Sequence, residues 1–132
     1  MNSIRVAMNE MQSRLCVRFV PRTNQNDFID IFSGDGCFSY IGRNGGRQDL
    51  SLRRNGCLSK GTIQHELIHA LGFFHMQSHA NRDNFVRILY ENIPNGRNNN
   101  NFFIQSNSNN FNTPYDYESV MRKIISKDII IY

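Results

Sequence analysis

The sequence predicts an α+β fold, because helical and strand periodicities occupy different parts of the chain. Near the start, and again near the middle, apolar residues recur every three or four positions, which is typical of amphipathic helices. Between these stretches lie four short segments rich in β-branched and aromatic residues, separated by turn compositions. The 132 residues are enough for one domain with a real core, and we expect residues 1–132 to form a single domain.

The first predicted element is a helix from Ile4 to Leu15. Its apolar positions are Ile4, Ala7, Met8, Met11 and Leu15. The sheet is predicted next, in the segments CVRFV, DFIDIF, CFSYI and QDLSL. The turns that separate these segments read PRTNQN, SGDG and GRNGGR.

A second helix is predicted to begin near Ser59 or Lys60 and to end close to Gly72. Its apolar stripe consists of Ile63, Leu67, Ala70, Leu71 and Phe74. The segment FVRILY alternates and predicts a further short strand. The asparagine-rich stretch that follows is typical of a loop that buries little surface, and the ending RKIISKDIIIY has no pattern that assigns it a structure.

Composition argues against two classes of partner. The net charge is +4, but the arginines are scattered, which favours an ordinary solvated surface over nucleic-acid binding. No stretch reaches the roughly 18 apolar residues that a membrane span requires, and the start MNSIRVAMNEM lacks the features of a signal peptide. The cysteines, Cys16, Cys37 and Cys57, form no CxxC pair.

The stretch HELIHALGFFH, residues 65–75, carries the strongest chemical signal. His65 and His69 lie four positions apart, so a helix presents both imidazoles on one face to a single ion. Glu66 is rotated by about 100° from His65, which lets its carboxylate reach a metal-bound water as general base. Three protein ligands and one open position are typical of hydrolytic zinc sites, so a third ligand is needed.

Gly72 can adopt a positive φ, end the helix and turn the chain so that His75 becomes this third ligand. The alternative is an ordinary helix whose histidines are surface or satisfied core residues, and HExxH alone would not exclude it. The added glycine and histidine favour one catalytic Zn²⁺ ion held by His65, His69 and His75. A purely structural zinc site is disfavoured because no cysteine lies within reach by sequence.

HELIHALGFFH matches the signature HExxHxxGxxH of the metzincin metalloproteases. The flanking segments CVRFVPRT, GCFSYIGRNGGRQDLSL, RDNFVRI and NTPYDYESVM resemble the astacin family in order, and NTPYDY is most similar to fish hatching enzymes, the choriolysins. The resemblance covers roughly Ile4 to Met121. It implies a metzincin-like catalytic domain with a small twisted sheet, an amphipathic helix and a zinc-binding helix.

This resemblance implies roles for individual residues. His65, His69 and His75 would be the zinc ligands, Glu66 the catalytic base, and Met121 the methionine of the Met-turn beneath the histidines. It also implies a disulfide between Cys37 and Cys57, while the partner of Cys16 would lie beyond the end of this chain. By the same comparison the first strands and most of the lower C-terminal half are missing, and residues 122–132 are a divergent tail.

The chain departs from the family pattern after Met121. Arg122 and Lys123 stand where the family has histidine and tyrosine, and losing a tyrosine that stabilises the oxyanion typically costs about 10²–10³ in rate. Met76, His79 and Asn81 also replace the usual residues. We expect His79, the fourth histidine, to be a surface substitution and not a ligand.

The resulting prediction is a zinc-dependent metalloendopeptidase that hydrolyses peptide bonds of protein substrates, with egg-envelope proteins among the candidates and with weakened turnover. The resemblance further implies a secreted parent protein, and we expect a monomer. The alternative is a non-catalytic, truncated zinc-binding remnant of an astacin-like protease, which binds metal and hydrolyses little.

Overall fold

The computed structural model describes residues 2–93, 99–109, 111–122 and 129–131. Its internal contacts divide the chain into two compact units, Met1–Phe73 and Phe74–Tyr132. The architecture is α+β, as the sequence predicted. The assignment of residues 1–132 to a single domain stays a prediction.

The first unit consists of two helices and a three-stranded sheet. In chain order these are α1 (Asn2–Arg14), β1 (Phe28–Phe32), β2 (Cys37–Ser39), β3 (Arg47–Leu52) and α2 (Lys60–Ala70). The strand order is β1-β3-β2, with β1 parallel and β2 antiparallel to β3. Three of the four predicted strands are therefore confirmed.

The core of this unit lies between the helices and the sheet. Its buried members are Ala7, Met11, Leu50, Leu52, Cys57, Ile63 and Leu67. Ala7 and Met11 lie four residues apart on α1, so the predicted stripe of that helix faces this core. Leu15 does not join them, because α1 ends at Arg14 and the Leu15 side chain is exposed.

The predicted strand CVRFV is not formed, and that prediction was wrong. Residues 17–22 have no regular secondary structure. A side chain, and not a neighbouring strand, bonds the backbone here. The N–H of Phe19 donates to Oε1 of Gln12, 2.6 Å away. Arg18 likewise donates through Nη1 to the carbonyl of Val17.

Helix α2 begins where the sequence predicted. The Ser59 side chain accepts a hydrogen bond from the N–H of Thr62 at 3.1 Å, which caps the helix. Ile63 and Leu67 are fully buried, but the predicted stripe is wrong at Leu71, which is 40% exposed. Leu71 is the C-cap residue of α2, where the helix ends.

A disulfide between Cys37 and Cys57 joins β2 to the turn before α2, over a sequence separation of 20 residues. Cys57 is fully buried in the core, whereas Cys37 is exposed. Cys16 is an exposed free cysteine. The bridge thus ties the edge of the sheet to the start of the helix that carries His65 and His69.

Replacing both bridged cysteines, Cys37→Ala with Cys57→Ala, is expected to lower the free energy of unfolding by about 3 kcal/mol, because the unfolded chain regains the entropy of an open loop. Urea denaturation of the oxidised protein, followed by circular dichroism, measures this change. Cys16→Ala is the matched control and should shift stability by less than about 0.5 kcal/mol. An equal loss of unfolding free energy in the double variant and in Cys16→Ala would contradict a stabilising disulfide.

The second unit is built mainly of short 3₁₀ turns and one two-stranded sheet. The turns span Met76–Ser78, Arg82–Asn84, Tyr90–Asn92 and Asn99–Phe102. Strand β4 (Val86–Ile88) confirms the strand predicted in FVRILY, and it pairs antiparallel with β5 (Ile129–Ile131). The ending that the sequence left unassigned thus contributes a strand, while residues 123–128 and 132 lie outside the described residues.

A buried arginine organises this unit. Arg82 is 4% exposed, and its Nη1 donates to the backbone carbonyls of Gln77 and Phe102. Its Nη2 lies 3.3 Å from the hydroxyl of Tyr90. Phe102 is itself buried in a cluster with Val86, so the asparagine-rich stretch buries more surface than its composition predicted. Among the described helices, none is long and apolar enough to span a membrane.

Candidate metal centre

Helix α2 places His65 and His69 one turn apart on the same face. Their ring centroids lie 4.6 Å apart, with the ring planes nearly perpendicular. His69 is buried, at 6% exposure, and His65 is partly buried. Two imidazoles at this spacing can direct their nitrogen lone pairs to one point beside the helix.

A backbone carbonyl fixes the orientation of His69. Nδ1 of His69 lies 2.8 Å from the carbonyl oxygen of Phe73, so Nδ1–H donates and Nε2 keeps its lone pair. Burial lowers the pKa of His69, the positive charge of a protonated His65 lowers it further, and the hydrogen bond to Phe73 acts in the opposite direction. Burial therefore favours the neutral imidazole, which is the form that binds a metal.

The turn after α2 depends on Gly72. Its φ of +105° lies in the region that favours glycine, and its N–H donates to the carbonyl of His69 at 2.8 Å. The N–H of Phe73 then reaches back to the carbonyl of Ile68 at 3.3 Å. This turn ends the helix and sends the chain on to His75, as the sequence predicted for a glycine at this position.

The metal-ligating nitrogens of His65, His69 and His75 all lie within 4.8 Å of one another. Three neutral imidazoles are a donor set that suits zinc. The three histidines therefore fit one zinc ion, and the group includes no fourth ligand from the described part of the chain. Such an arrangement leaves a coordination position for water or substrate.

Glu66 follows His65 on the same helix and is buried, at 5% exposure. Burial of a carboxyl group is costly unless the surroundings compensate for it, so an acid at this position is a candidate functional group. Because it lies next to the first histidine and one turn before His69, its carboxylate is at the edge of the histidine face. Its role as a base stays a prediction.

Met121 is buried in the second unit, and its carbonyl accepts a hydrogen bond from the N–H of Met76 at 3.1 Å. Since Met76 follows His75, this bond places Met121 beside the backbone of the third histidine. Arg122 turns its Nη1 to the carbonyl of Tyr117. Lys123 lies outside the described residues.

His79 does not belong to the histidine group. Its Nδ1 contacts Oδ1 of Asn81 at 2.6 Å. The side chain is partly buried, so the expected surface position was wrong, and the absence of a ligand role stays a prediction. The sequence did not predict two hydrogen bonds of His69. Its Nδ1 bonds the Phe73 carbonyl, and its own carbonyl accepts from the N–H of Gly42 at 2.9 Å. Both involve backbone atoms, which have no residue-type signal.

Gly72→Ala is expected to weaken zinc binding and to destabilise the fold by about 1–3 kcal/mol, because alanine at a φ of +105° is strained. Relaxation of that strain would move the Phe73 carbonyl away from His69, and losing such an orienting contact typically costs about 10–100-fold in metal affinity. Competition with a chelating dye measures the affinity. Gly36→Ala is the matched control, since Gly36 has a φ of +104° and open space around it. A similar loss of zinc affinity in both variants would contradict this role of Gly72.

A helix with HExxH, followed by a glycine turn and a third histidine in an α+β fold, defines a metzincin-type zinc site. Residues 1–126 match the Astacin family of peptidases, and the chain belongs to this family. Its sequence is 52% identical over 120 residues to high choriolytic enzyme 2 of Oryzias latipes, covering 90% of this chain and 42% of that protein. An astacin-like metalloendopeptidase of Gallus gallus is 49% identical over 119 residues, covering 89% of this chain and 29% of the relative.

The fold is similar to that of a solved relative. The structure of high choriolytic enzyme 1, a hatching enzyme zinc-protease from Oryzias latipes, matches with a TM-score of 0.90 at 45% identity. The match covers 98% of this chain and 68% of that one. The chain spans less than half the length of the curated relatives described above.

Proposed function

We propose that this polypeptide acts as a zinc-dependent metalloendopeptidase on protein substrates. The observation that carries the proposal is that the ligand nitrogens of His65, His69 and His75 lie within 4.8 Å of one another, and that the helix of the first two histidines also bears the buried Glu66. When bound, zinc supplies a Lewis acid that polarises a carbonyl and makes water a better nucleophile at neutral pH. The same geometry suits hydrolysis better than a structural zinc site, which would be closed by a fourth ligand.

Each residue of the site has a proposed task. The Phe73 carbonyl holds His69 in the tautomer whose Nε2 is free to bind metal. The Glu66 carboxylate would accept a proton from the attacking water and pass it to the departing amine. Met121, buried beside the backbone that follows His75, would support the third ligand by packing.

The open edge of β2 supports a polypeptide substrate. Among the described residues β2 pairs only with β3, so its outer edge is open to an extended chain. Gly42, three residues after β2, donates to the His69 carbonyl and thereby ties this edge to the ligand-bearing helix. Tyr40 and Ile41 between them are exposed and offer apolar contact. A peptide bound along β2 would therefore run past the histidines.

The relatives narrow the proposal further. Since high choriolytic enzyme 1 is a hatching enzyme zinc-protease, we include egg-envelope proteins among the proposed substrates. Secretion of the parent protein and a monomeric state belong to the same proposal. A non-catalytic zinc-binding chain is the second candidate. It is favoured by Arg122, which stands where the family has a histidine and whose side chain donates to the Tyr117 carbonyl.

Zinc content and hydrolysis, measured on the same preparation, distinguish these candidates. Zinc is determined by mass spectrometry after dialysis, and hydrolysis is followed with fluorescein-labelled denatured casein before and after chelation. One zinc per chain together with hydrolysis that chelation removes and added zinc restores would support the peptidase. Bound zinc without such hydrolysis would support the non-catalytic candidate, and failure to bind zinc would contradict both.

A further inference from the structure

Gln48 is a buried glutamine on β3, the strand that lies between β1 and β2. Only 6% of its surface is exposed, and Leu50, two residues further along the strand, belongs to the apolar core. Burial of an amide side chain costs free energy unless its donor and its acceptor both have partners. An apolar residue would fill this position without that requirement, so the partners of the amide indicate what the glutamine contributes.

Both ends of the Gln48 amide bond the turn that follows β2. Nε2 donates to the carbonyl of Gly42 at 2.9 Å, and Oε1 accepts from the N–H of Asn44 at 3.0 Å. Gly42 has a φ of +73°, in the region that favours glycine. The two hydrogen bonds hold this turn against β3 and thereby fix the direction in which the Gly42 N–H points.

The Gly42 turn supports the end of α2. The last four carbonyls of a helix have no partner within it, and the carbonyl of His69 accepts from the N–H of Gly42 at 2.9 Å. A Cβ atom at position 42 would lie 3.8 Å from the Cα of Gly72, so the two glycine turns lie against each other. The Gly42 turn therefore contacts both the backbone of His69 and the turn that leads to the Phe73 carbonyl, the partner of the His69 ring.

We propose that Gln48 is a positioning residue of the metal centre, which acts through the backbone of Gly42 to hold His69 in its ligating orientation. This inference rests on the proposed function, since it assigns Gln48 to the site that would bind the catalytic zinc. Gln48 is not itself a member of the histidine group. Groups that orient a ligand from outside the coordination sphere affect metal affinity, because the ligand must be held at a fixed position.

The alternative is that the amide only stabilises a turn, and β3 provides a matched control for it. Ser51 is fully buried on the same strand, and its Oγ accepts from the N–H of Gly34 at 3.2 Å and donates to the carbonyl of Gly36 at 2.9 Å. It thus bridges the turn before β2 in the way that Gln48 bridges the turn after β2. Ser51→Ala removes a comparable bridge at the end of β2 that is distant in sequence from Gly42.

Hydrogen exchange in the metal-free protein, followed by the NMR signals of the backbone amides, tests the contact to His69. The Gly42 N–H should be protected in the unaltered protein, and a rate typical of an exposed amide would overturn the inference without any variant. In Gln48→Met, which replaces the amide by an apolar side chain of similar length, we expect exchange at Gly42 to become about tenfold faster. Ser51→Ala should change it by less than about threefold.

Competition with a chelating dye tests the consequence for the metal. Gln48→Met is expected to bind zinc about tenfold more weakly, at the lower end of the effect of an orienting contact, and Ser51→Ala should stay within about twofold. The visible absorption of the cobalt-substituted protein, which depends on ligand geometry, should change in Gln48→Met and not in Ser51→Ala. A role confined to turn stability would lower the thermal midpoint of both variants and leave affinity and spectrum unaltered.

Gln48→Glu separates the two hydrogen bonds of the amide. The carboxylate can still accept from the N–H of Asn44, but it cannot donate to the carbonyl of Gly42. We expect its zinc affinity to fall at least as far as that of Gln48→Met. This variant also keeps the inference testable if Gln48→Met does not fold, and an unaltered affinity in folded Gln48→Glu would exclude an effect that passes through Gly42.

The outcomes distinguish this inference from the proposed function. Unaltered zinc affinity in both Gln48 variants would overturn the inference and leave the peptidase standing. Equal losses of affinity in Gln48→Met and Ser51→Ala would also overturn it, because general destabilisation would then explain both. Zinc bound without hydrolysis in the unaltered protein would contradict the peptidase, whereas a loss of affinity in the Gln48 variants alone would still support the positioning role.

Discussion

Replacing Glu66 with glutamine is expected to lower the rate of zinc-dependent peptide hydrolysis by about 10²–10⁴-fold, the contribution typical of a positioned general base. The amide has nearly the shape of the carboxylate but cannot accept a proton from water. Since Glu66 is buried on α2 and is not among the histidine ligands, zinc should still bind with a stoichiometry of one per chain. The measurement is the rate of labelled-casein hydrolysis after zinc is restored to the chelated protein.

Glu91→Gln provides the matched control, because Glu91 is an exposed glutamate in the second unit. It makes the same chemical change and should leave the rate within about twofold, since substitution of an exposed surface residue perturbs little. A Glu66→Gln variant that retains most of the zinc-dependent rate would remove this residue from the mechanism. A variant that has lost its zinc as well would show that Glu66 supports the ligands, and would count against a role confined to proton transfer.

Local patterns were sufficient to predict the elements that carry the site. Helix α2, its start near Ser59 or Lys60 and the position of Gly72 all depend on residues within one or two turns of each other, and the structure has each of them where the sequence indicated. The spacing of the histidines in the sequence predicts their proximity in the structure for the same reason. Four residues make one turn of a helix, and a glycine after it permits the reversal that brings His75 back.

The errors occur where distant parts of the chain decide the outcome. CVRFV has the composition of a strand, but no neighbouring strand among the described residues pairs with it, and a side chain of α1 bonds the N–H of Phe19 instead. Phe102 is buried in a cluster with Val86, and its carbonyl accepts a hydrogen bond from Arg82, twenty residues earlier. The backbone partners of His69 were not predicted either. A carbonyl such as that of Phe73 can be supplied by any residue type, so the sequence contains no signal for it.

Removal of the third histidine is the other large effect. His75→Ala is expected to weaken zinc binding by more than about 100-fold, because altering a residue that only orients a ligand already costs about 10–100-fold. His65 and His69 would remain on α2 with their rings 4.6 Å apart, but two imidazoles do not complete a hydrolytic zinc site. Zinc-dependent hydrolysis should be lost together with affinity.

His79→Ala is the matched control for this prediction. It removes a histidine that lies four positions further along the chain and outside the ligand group. Its ring contacts Asn81, so the variant loses one local hydrogen bond and should bind zinc as tightly as the unaltered protein. Competition with a chelating dye compares the three proteins under one condition. Equal losses in His75→Ala and His79→Ala would mean that the three-histidine set is wrong, whereas loss in His75→Ala alone assigns the third position to the histidine that the Gly72 turn brings back.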